Sequence, residues 1–241
     1  MTRRERVLAA LRGDSVDRPP FGFWAHNFAK ENSPEDLAGE SLRVLNEFAF
    51  DFLKPQTRAQ AFEEAFGAVW AASGARTESP RLVQHAVESA ADLDQIQVAD
   101  WTAGPLGEQL EALRLIRAAA PDVPIIWTIF NPLMIARRLL PGDIAELRTA
   151  MQEQPDALRS ALNAVTATMT GYARAAIENG ADGLFYATNV ASEGLLTPDE
   201  YRSWGVADDL AILAAVADAP FNMLHTCGPA VYFDVFAEYP V

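Results

Sequence analysis

The 241-residue sequence lacks the cysteines of a disulfide-rich protein, since Cys227 is the only one. A single cysteine excludes a disulfide within the chain and fits a reducing cytoplasm. An uninterrupted apolar run of the roughly 18 residues that a membrane span needs is also absent. The basic first residues are followed by a short apolar stretch that Arg12 interrupts, so we predict no signal peptide. These absences favour a cytoplasmic protein without a membrane segment.

Positive charge is scarce as well. Nineteen Lys and Arg face 33 Asp and Glu, which gives a formal net charge of −14. Such an acidic surface argues against nucleic acid and against an anionic membrane as partners. A small anionic substrate remains compatible, because a pocket can be locally basic. Half of the residues are hydrophobic, and a chain of this length can form one large α/β domain with a sizeable core.

Short apolar runs alternate with stretches of helical periodicity along the chain. This alternation is typical of parallel βα units. Residues 57–103 fit the pattern poorly and lack the apolar periodicity for a core of their own, so we interpret them as an irregular insertion in a single domain, 1–241. Capping signals such as Thr197-Pro198-Asp199-Glu200 predict helix starts, here of a helix that reaches about Ala217, and Pro229 predicts a last helix to about Glu238. The predicted strands are 21–24, 48–53, 123–130, 182–186 and 221–225.

The carboxyl ends of parallel strands are where α/β folds place their chemistry. His225 and Cys227 lie two residues apart at the last predicted strand, so their side chains share a face. An imidazole beside a thiolate is half of a zinc site, and Glu193 is a candidate further ligand or a helix cap. A buried histidine and an inert core thiol are the alternative. The other strand ends supply Trp24, His26, Lys54, Gln56, Phe130, Asn131, Tyr186 and Asn189.

Lys54 stands out among these strand-end residues, because lysine rarely ends a buried strand without an anion nearby. An ion pair with Glu63 or Glu64 is the simple alternative to a substrate contact. Trp24, Phe130 and Tyr186 are predicted to be pocket walls. Asn131 precedes Pro132 and is equally well explained as an N-cap.

Several segments together resemble the uroporphyrinogen decarboxylase superfamily. They are 2–13 with 16–20, 50–54, 181–183, 194–201 and 224–228. The resemblance implies a (β/α)8 TIM barrel, of which about five βα units are present here. It also implies that the chain is the N-terminal two-thirds of such a barrel, truncated before a second zinc-binding cysteine.

The superfamily has a decarboxylase branch and a zinc-dependent methyltransferase branch. The decarboxylases carry arginines after the first strand and an aspartate after the second, whereas this chain has no arginine in 23–30 and reads Lys54-Pro55-Gln56. Its His225-x-Cys227 pair resembles the methyltransferases instead. The resemblance therefore implies zinc on His225 and Cys227, and methyl transfer from a corrinoid, carried by a corrinoid protein, to a small-molecule thiol. Substrate contacts would come from Trp24, His26, Lys54, Phe130, Tyr186 and Asn189.

Two alternatives to methyl transfer stay open from the sequence. One is cofactor-independent decarboxylation of uroporphyrinogen or a related carboxylated ring. The other is an inactive or purely corrinoid-binding paralogue. A homodimer is also left open.

Overall fold

A three-stranded parallel sheet lies at the centre of the fold in a computed structural model that describes residues 1–241. Its order is β3 (Ile126–Phe130), β4 (Gly183–Thr188) and β5 (Met223–Thr226). A separate antiparallel hairpin joins β1 (Val69–Ala71) and β2 (Arg81–Gln84). The helices are α1 (Arg3–Leu11), α2 (Pro34–Phe48), α3 (Ala61–Glu64), α4 (Gly104–Ala119), α5 (Pro132–Leu139), α6 (Asp143–Glu153), α7 (Pro155–Glu178), α8 (Pro198–Trp204) and α9 (Val206–Ala214), with 3₁₀ turns at Phe28–Lys30, Ala90–Gln95 and Phe233–Phe236. None of the helices combines the length and apolar character needed to cross a membrane.

The α/β class with parallel βα units is confirmed, but the first two predicted strands are wrong. Residues 21–24 form no strand. One backbone hydrogen bond, from the Asp51 amide to the Phe21 carbonyl (2.9 Å), and one from the Phe21 amide to the Asp51 carboxylate (3.0 Å) join them to the next segment. Residues 48–53 are reduced to one parallel bridge between Leu53 and Ile125, because α2 runs on to Phe48 and Ala49 turns the chain in the left-handed region. Apolar content made both segments look like strands, but a strand also needs a hydrogen-bonded neighbour.

Helix starts follow the capping signals, whereas two helix ends differ from expectation. Thr2 and Thr197 form the predicted capping boxes. The helix that begins at Pro198 breaks at Gly205 and continues as α9 only to Ala214. The predicted last helix is only the 3₁₀ turn Phe233–Phe236, because Ala230 takes a positive φ of 47° and Val231 pairs with Ser192 in an antiparallel bridge.

The two faces of the sheet bury different sets of side chains. Trp127, Leu184 and Tyr186 point into the main core beneath the helices. The opposite, inner face carries Phe185 and Ala187, which form a smaller cluster with Val7 of α1, Ile126 and Phe221. Side chains of the predicted insertion, among them Phe62, Val87 and Leu93, join the main core. Since side chains alternate along each strand, the inner face is the one that leads towards His225.

Asp182, just before β4, ties the amino end of the sheet to two helices. Its carboxylate accepts from Arg4 of α1 (2.7 Å), from Arg117 of α4 (2.6 Å) and from the Ile125 amide (2.8 Å). Arg117 also donates to backbone carbonyls, including that of Gly180 (2.8 Å). Asp182 is therefore a structural residue at the amino end of the sheet, opposite the carboxyl ends of the strands.

Gly183 allows β4 and β5 to approach each other at the start of their ladder. A Cβ at this position would lie 1.9 Å from the Phe221 carbonyl oxygen, which is backbone and cannot turn away. We expect Gly183→Ala to lower the free energy of unfolding by about 3 kcal/mol, the upper range for overpacking. Urea unfolding at constant pH measures this loss.

Gly39→Ala is the matched control, because Gly39 lies on exposed α2 with nothing within 4 Å of the added methyl group. Alanine is the better helix former, so this change should stabilise the protein by up to about 1 kcal/mol. Equal stability of Gly183→Ala and the wild type would contradict the packing argument.

Candidate functional site

His225 lies on the inner face of β5, opposite Ala187 of β4. Its ring stacks on Phe185 with 4.8 Å between centroids, and the edge of Trp24 approaches at 5.9 Å. Burial, with a smaller contribution from the charge of Lys54, lowers the pKa of His225 below its ordinary value. The half-buried imidazole is therefore neutral at physiological pH, which is the form that binds metals.

Cys227 follows β5 directly and is exposed. Its amide donates to the Thr188 carbonyl (3.3 Å), so the β4–β5 ladder continues by one residue and holds Cys227 on the same side as His225. Displacement of water by neighbouring atoms raises the pKa of the Cys227 thiol, and the Arg137 guanidinium opposes this rise. A bound cation would be needed to make the thiolate the dominant form at neutral pH.

The imidazole and thiol of this pair are suitable zinc ligands, but two ligands are too few for a zinc site. Nowhere does the structure place three or more His, Cys, Asp or Glu side chains together as a metal site. Glu193, predicted as a candidate ligand, is exposed and does not complete a group with His225 and Cys227. The chain therefore offers two of the four ligands of a tetrahedral zinc site.

Lys54 is buried beside the same aromatic side chains, with 5% of its surface exposed. Its Nζ lies 4.8 Å from the centroid of the Phe185 ring and 5.3 Å from that of Trp24. It makes no ion pair. The alternative of a pair with Glu63 or Glu64 is wrong, because those carboxylates pair with Arg138 and Arg58, respectively. Burial lowers the pKa of Lys54 to about 7, and the charge of Glu31 opposes that shift.

A chain of hydrogen bonds runs from Lys54 to a buried carboxylate. The Lys54 ammonium donates to Gln56 Oε1 (3.1 Å), and Gln56 Nε2 contacts His26 Nε2 (2.8 Å). Because the Gln56 amide must donate to His26 Nε2, the proton of neutral His26 lies on Nδ1. Nδ1 in turn donates to Glu31 (2.9 Å), which is 4% exposed. The hydrogen bonds thus fix the orientation of each side chain in this series.

A cavity of about 360 Å³ opens between α2, the loop before it and the segment around Lys54. Trp24, His26, Lys54, Gln56 and Glu31 all line it. Trp24 also contacts the His225 ring, so this candidate metal ligand lies behind one wall of the cavity and does not line it. The structure thus brings Trp24, His26 and Lys54 into one cavity, with His225 beside it.

The other predicted substrate contacts lie elsewhere. Phe130 is half-buried, stacks on Phe62 (4.5 Å) and lies under Arg138. Asn189 is half-buried just beyond β4, and its Oδ1 has no hydrogen-bond partner. Tyr186 is wrong as a pocket wall, because it is fully buried on the opposite face of β4.

Asp209 of α9 binds the hydroxyl of Tyr186 in the core. Its buried carboxylate accepts hydrogen bonds from the hydroxyls of Tyr186 (2.7 Å), Tyr201 (2.6 Å) and Tyr239 (2.7 Å), and from Asn131 Nδ2 (3.2 Å). Asn131 Oδ1 also caps α5 at the Met134 amide, as its N-cap reading predicted. Burial raises the pKa of Asp209 to about 6, and its four hydrogen-bond donors oppose that rise.

Sequence reasoning missed Phe185, Gln56 and Glu31. Phe185 becomes assignable only once the register is known: Ala187 pairs with His225, so the residue two before Ala187 shares the face of His225 and Tyr186 does not. Gln56 was noted only as a strand-end residue. Glu31 is five residues from His26 in the loop before α2, and no local pattern relates the two.

Comparisons with known proteins support the family expectation. The sequence model described as "Uroporphyrinogen decarboxylase (URO-D)" matches residues 2–240. The methylcobamide:CoM methyltransferase MtbA of Methanosarcina mazei is 25% identical over 94% of this chain and 70% of its own length. A uroporphyrinogen decarboxylase of Xylella fastidiosa is 27% identical over 86% of this chain and 63% of its own. A solved methyltransferase from Methanosarcina mazei superposes with a TM-score of 0.77 at 26% identity, covering 95% of this chain and 70% of that one.

Proposed function

Because the chain belongs to the uroporphyrinogen decarboxylase family, we propose that it catalyses methyl transfer from a corrinoid to a thiol. The observation that carries this proposal is His225 at the carboxyl end of β5, stacked on Phe185, with Cys227 two residues later and its amide bonded to the Thr188 carbonyl. The similarity to a methylcobamide:CoM methyltransferase over 94% of the chain supports it. A small-molecule thiol and a corrinoid protein are the partners that this reaction needs.

Zinc is the cofactor in this proposal, with His225 and Cys227 as two of its ligands. When bound, zinc supplies the positive charge that lowers the pKa of a coordinated thiol. The neutral state of His225 favours coordination. Around it, Trp24 and Phe185 exclude water from the imidazole, Lys54 supplies the cation of the cavity, and His26, Phe130 and Asn189 are proposed to contact substrate. The exposure of Cys227 leaves room for a thiol or a partner protein to approach.

His225→Ala tests the metal role directly. We expect it to weaken zinc binding by about 100-fold or more, since losing an outer-shell partner alone costs 10–100-fold. The measurement is a zinc titration in the presence of the thiol CoM, followed by a methyl-transfer assay with methylcobalamin as donor and CoM as acceptor. Cys227→Ser should weaken zinc binding similarly.

His85→Ala is the matched control for this experiment. His85 is half-buried like His225, but it lies just after β2 and away from the cavity. Its loss should therefore leave zinc affinity and methyl transfer unchanged. If wild-type protein, His225→Ala and His85→Ala all bind zinc equally, the metal assignment to His225 and Cys227 fails.

Decarboxylation of a carboxylated ring is the second candidate. Arg76 favours it, because this exposed residue lines the cavity, where its charge already helps to lower the pKa of Glu40 and its guanidinium can bind a carboxylate. Arg43, the other arginine there, is occupied by Glu40 and Glu47. The similarity to uroporphyrinogen decarboxylases also supports it. Metal-independent release of carbon dioxide from uroporphyrinogen, with no methyl transfer to CoM, would establish this function instead.

A further inference from the structure

Lys54 is a buried amine with a function still to be explained, because a cation without an ion pair costs free energy in a folded core. Its Nζ has one hydrogen-bond partner, Gln56 Oε1, and otherwise faces the rings of Trp24 and Phe185 and the cavity. It makes no hydrogen bond or ion pair with His225 or Cys227. Packing alone would be served better by methionine or leucine at this position.

We infer that Lys54 is the group that takes the proton from the thiol substrate, and that Gln56, His26 and Glu31 are positioning residues that aim it. This inference rests on the proposed methyl transfer and assigns the proton that the reaction releases. In that reaction the thiol S–H bond breaks, and its proton goes to Lys54 Nζ. The sulfur electron pair forms the new S–CH₃ bond, and the electron pair of the broken carbon–cobalt bond stays with the corrinoid cobalt.

Gln56 is suited to hold Lys54 in both of its protonation states. An amide oxygen accepts an N–H from an ammonium and equally from a neutral amine, which keeps two N–H groups and gains a lone pair. The contact of 3.1 Å can therefore persist when the proton leaves. The lone pair is then directed away from Gln56, towards the cavity in which a substrate would lie.

His26 and Glu31 prevent the Gln56 amide from turning over. If it rotated by half a turn, its nitrogen would face the Lys54 donors and its oxygen would face the His26 Nε2 acceptor, so both hydrogen bonds would be lost. Glu31 holds His26 in turn, through Nδ1 (2.9 Å), and is fixed itself by the Asn27 amide (3.0 Å). This arrangement makes the orientation of Lys54 depend on a carboxylate three hydrogen bonds away.

The position of Lys54 fits a thiol held beside His225. Lys54 Nζ and the His225 ring each lie 4.8 Å from the centroid of Phe185, and both also approach Trp24. A small thiol whose sulfur atom lies near the His225 imidazole can therefore also reach the Lys54 amine. The charged groups that act on Lys54 are Glu31 and, when protonated, His225. Farther out, the cavity wall carries Lys30, Glu40, Arg43, Glu47 and Arg76.

The chain has only two lysines, Lys30 and Lys54, which makes a direct test practical. In protein labelled with ¹³Cε-lysine, two side-chain signals should titrate separately. Lys30, exposed and paired with Asp36, should titrate in the alkaline range, and Lys54 near pH 7. Lys30→Met assigns the signals.

Two substitutions of Gln56 should shift the titration midpoint of Lys54 in opposite directions. Gln56→Leu removes the only acceptor and should lower the midpoint of the Lys54 titration, whereas Gln56→Glu adds a negative charge and should raise it. The pH profile of kcat/KM for methyl transfer to CoM should rise through the same midpoint and shift with it in each variant. Lys54→Arg keeps the charge but accepts no proton, and should lower kcat/KM about 100-fold or more.

The outcomes separate this inference from the proposed function. Titration of Lys54 together with Lys30, or a pH profile that does not follow the Gln56 variants, overturns the inference while methyl transfer stands. Absence of methyl transfer in the wild type at every pH overturns the proposed function and the thiol role of Lys54 together. The lysine titrations then still show whether Gln56 sets the titration midpoint of the Lys54 amine.

Discussion

Asp209→Ala is expected to lower the free energy of unfolding by about 4 kcal/mol. The substitution leaves three tyrosine hydroxyls without their acceptor in a dry core, and each such orphan costs about 1–3 kcal/mol. Asn131 Nδ2 loses one acceptor and keeps the Tyr201 hydroxyl (3.0 Å). Removing a buried charge offsets part of this loss. A pKa raised by about two units corresponds to roughly 3 kcal/mol, so the orphaned donors dominate.

Urea unfolding at pH 7.5 measures the effect, with Asp208→Ala as the matched control. Asp208 is the preceding residue on α9, but its partner is the partly exposed Arg159 (3.0 Å). Loss of that pair should cost no more than about 1 kcal/mol. Equal losses at the two positions would mean that the tyrosine cluster does not depend on the Asp209 carboxylate.

The pH dependence of Asp209 gives a second readout. Its pKa in the folded state, about 6, lies above the unfolded value near 4. Between those pH values the folded state binds more protons than the unfolded state, so stability falls as pH rises through this range. This contribution is fully present below about pH 4 and is lost above about pH 6. Asp209→Ala should make this slope shallower by the contribution of Asp209, leaving that of Glu63, whose pKa burial raises to about 7, and Asp208→Ala should retain the wild-type slope.

Lys54→Met is expected to have the opposite effect and to stabilise the protein by about 4 kcal/mol at pH 6. The folded pKa of about 7 lies well below the ordinary value of 10.5, and this difference corresponds to roughly 5 kcal/mol of destabilisation when the amine is charged. The lost hydrogen bond to Gln56 returns about 1 kcal/mol of that gain. Methionine fills a similar space without a charge.

The gain should depend on pH with a defined sign. Between about pH 7 and 10 the unfolded state binds the proton and the folded state does not, so the stability of the wild type rises with pH. The advantage of Lys54→Met should therefore be largest below pH 7 and should disappear by about pH 10. Urea unfolding at pH 6 and 9.5 measures both, with exposed Lys30→Met as the control that changes little. Destabilisation by Lys54→Met at pH 6 would contradict the burial argument.

A stabilising change that removes activity is the pattern expected of a functional residue. Lys54→Met should therefore show no proton-coupled methyl transfer while it unfolds at higher urea concentration. A variant that is both more stable and fully active would show that Lys54 is a tolerated defect rather than part of the site. The same preparations of protein serve for both measurements.

The sequence predicted local features, such as helix starts, better than pairings between distant residues. The capping boxes at Thr2 and Thr197 act within a few residues, so helix starts could be predicted from composition and spacing alone. Residues 21–24 have the composition of a strand, but pairing depends on what lies beside them in space. Tyr186 binds Asp209, 23 residues away, and Lys54 lies beside Trp24 and Phe185.

The candidate site was partly predictable for the same reason. The rule that chemistry sits at the carboxyl ends of parallel strands predicts Trp24, His26, Lys54 and His225 near one another, and the structure places these four side chains close together. The rule gives no information on which face of a strand a residue occupies, which is why Tyr186 was predicted as a pocket wall and Phe185 was not. The hydrogen-bonded chain to Glu31 became visible only with atomic positions.

The carboxylate of Asp182 also has a consequence for the synthesis of the chain. It binds Arg4, 178 residues earlier, so this ion pair cannot form until the ribosome has made and released the segment before β4. At the usual 5–20 residues per second, that interval is on the order of 10–40 s. Val7 of α1, 1% exposed in the folded protein, packs on Phe185, Ala187 and Phe221 as well as Ile126, so its burial is also completed only by these later residues. Contacts that stabilise the finished fold therefore also set how long the apolar side chains of α1 need protection during synthesis.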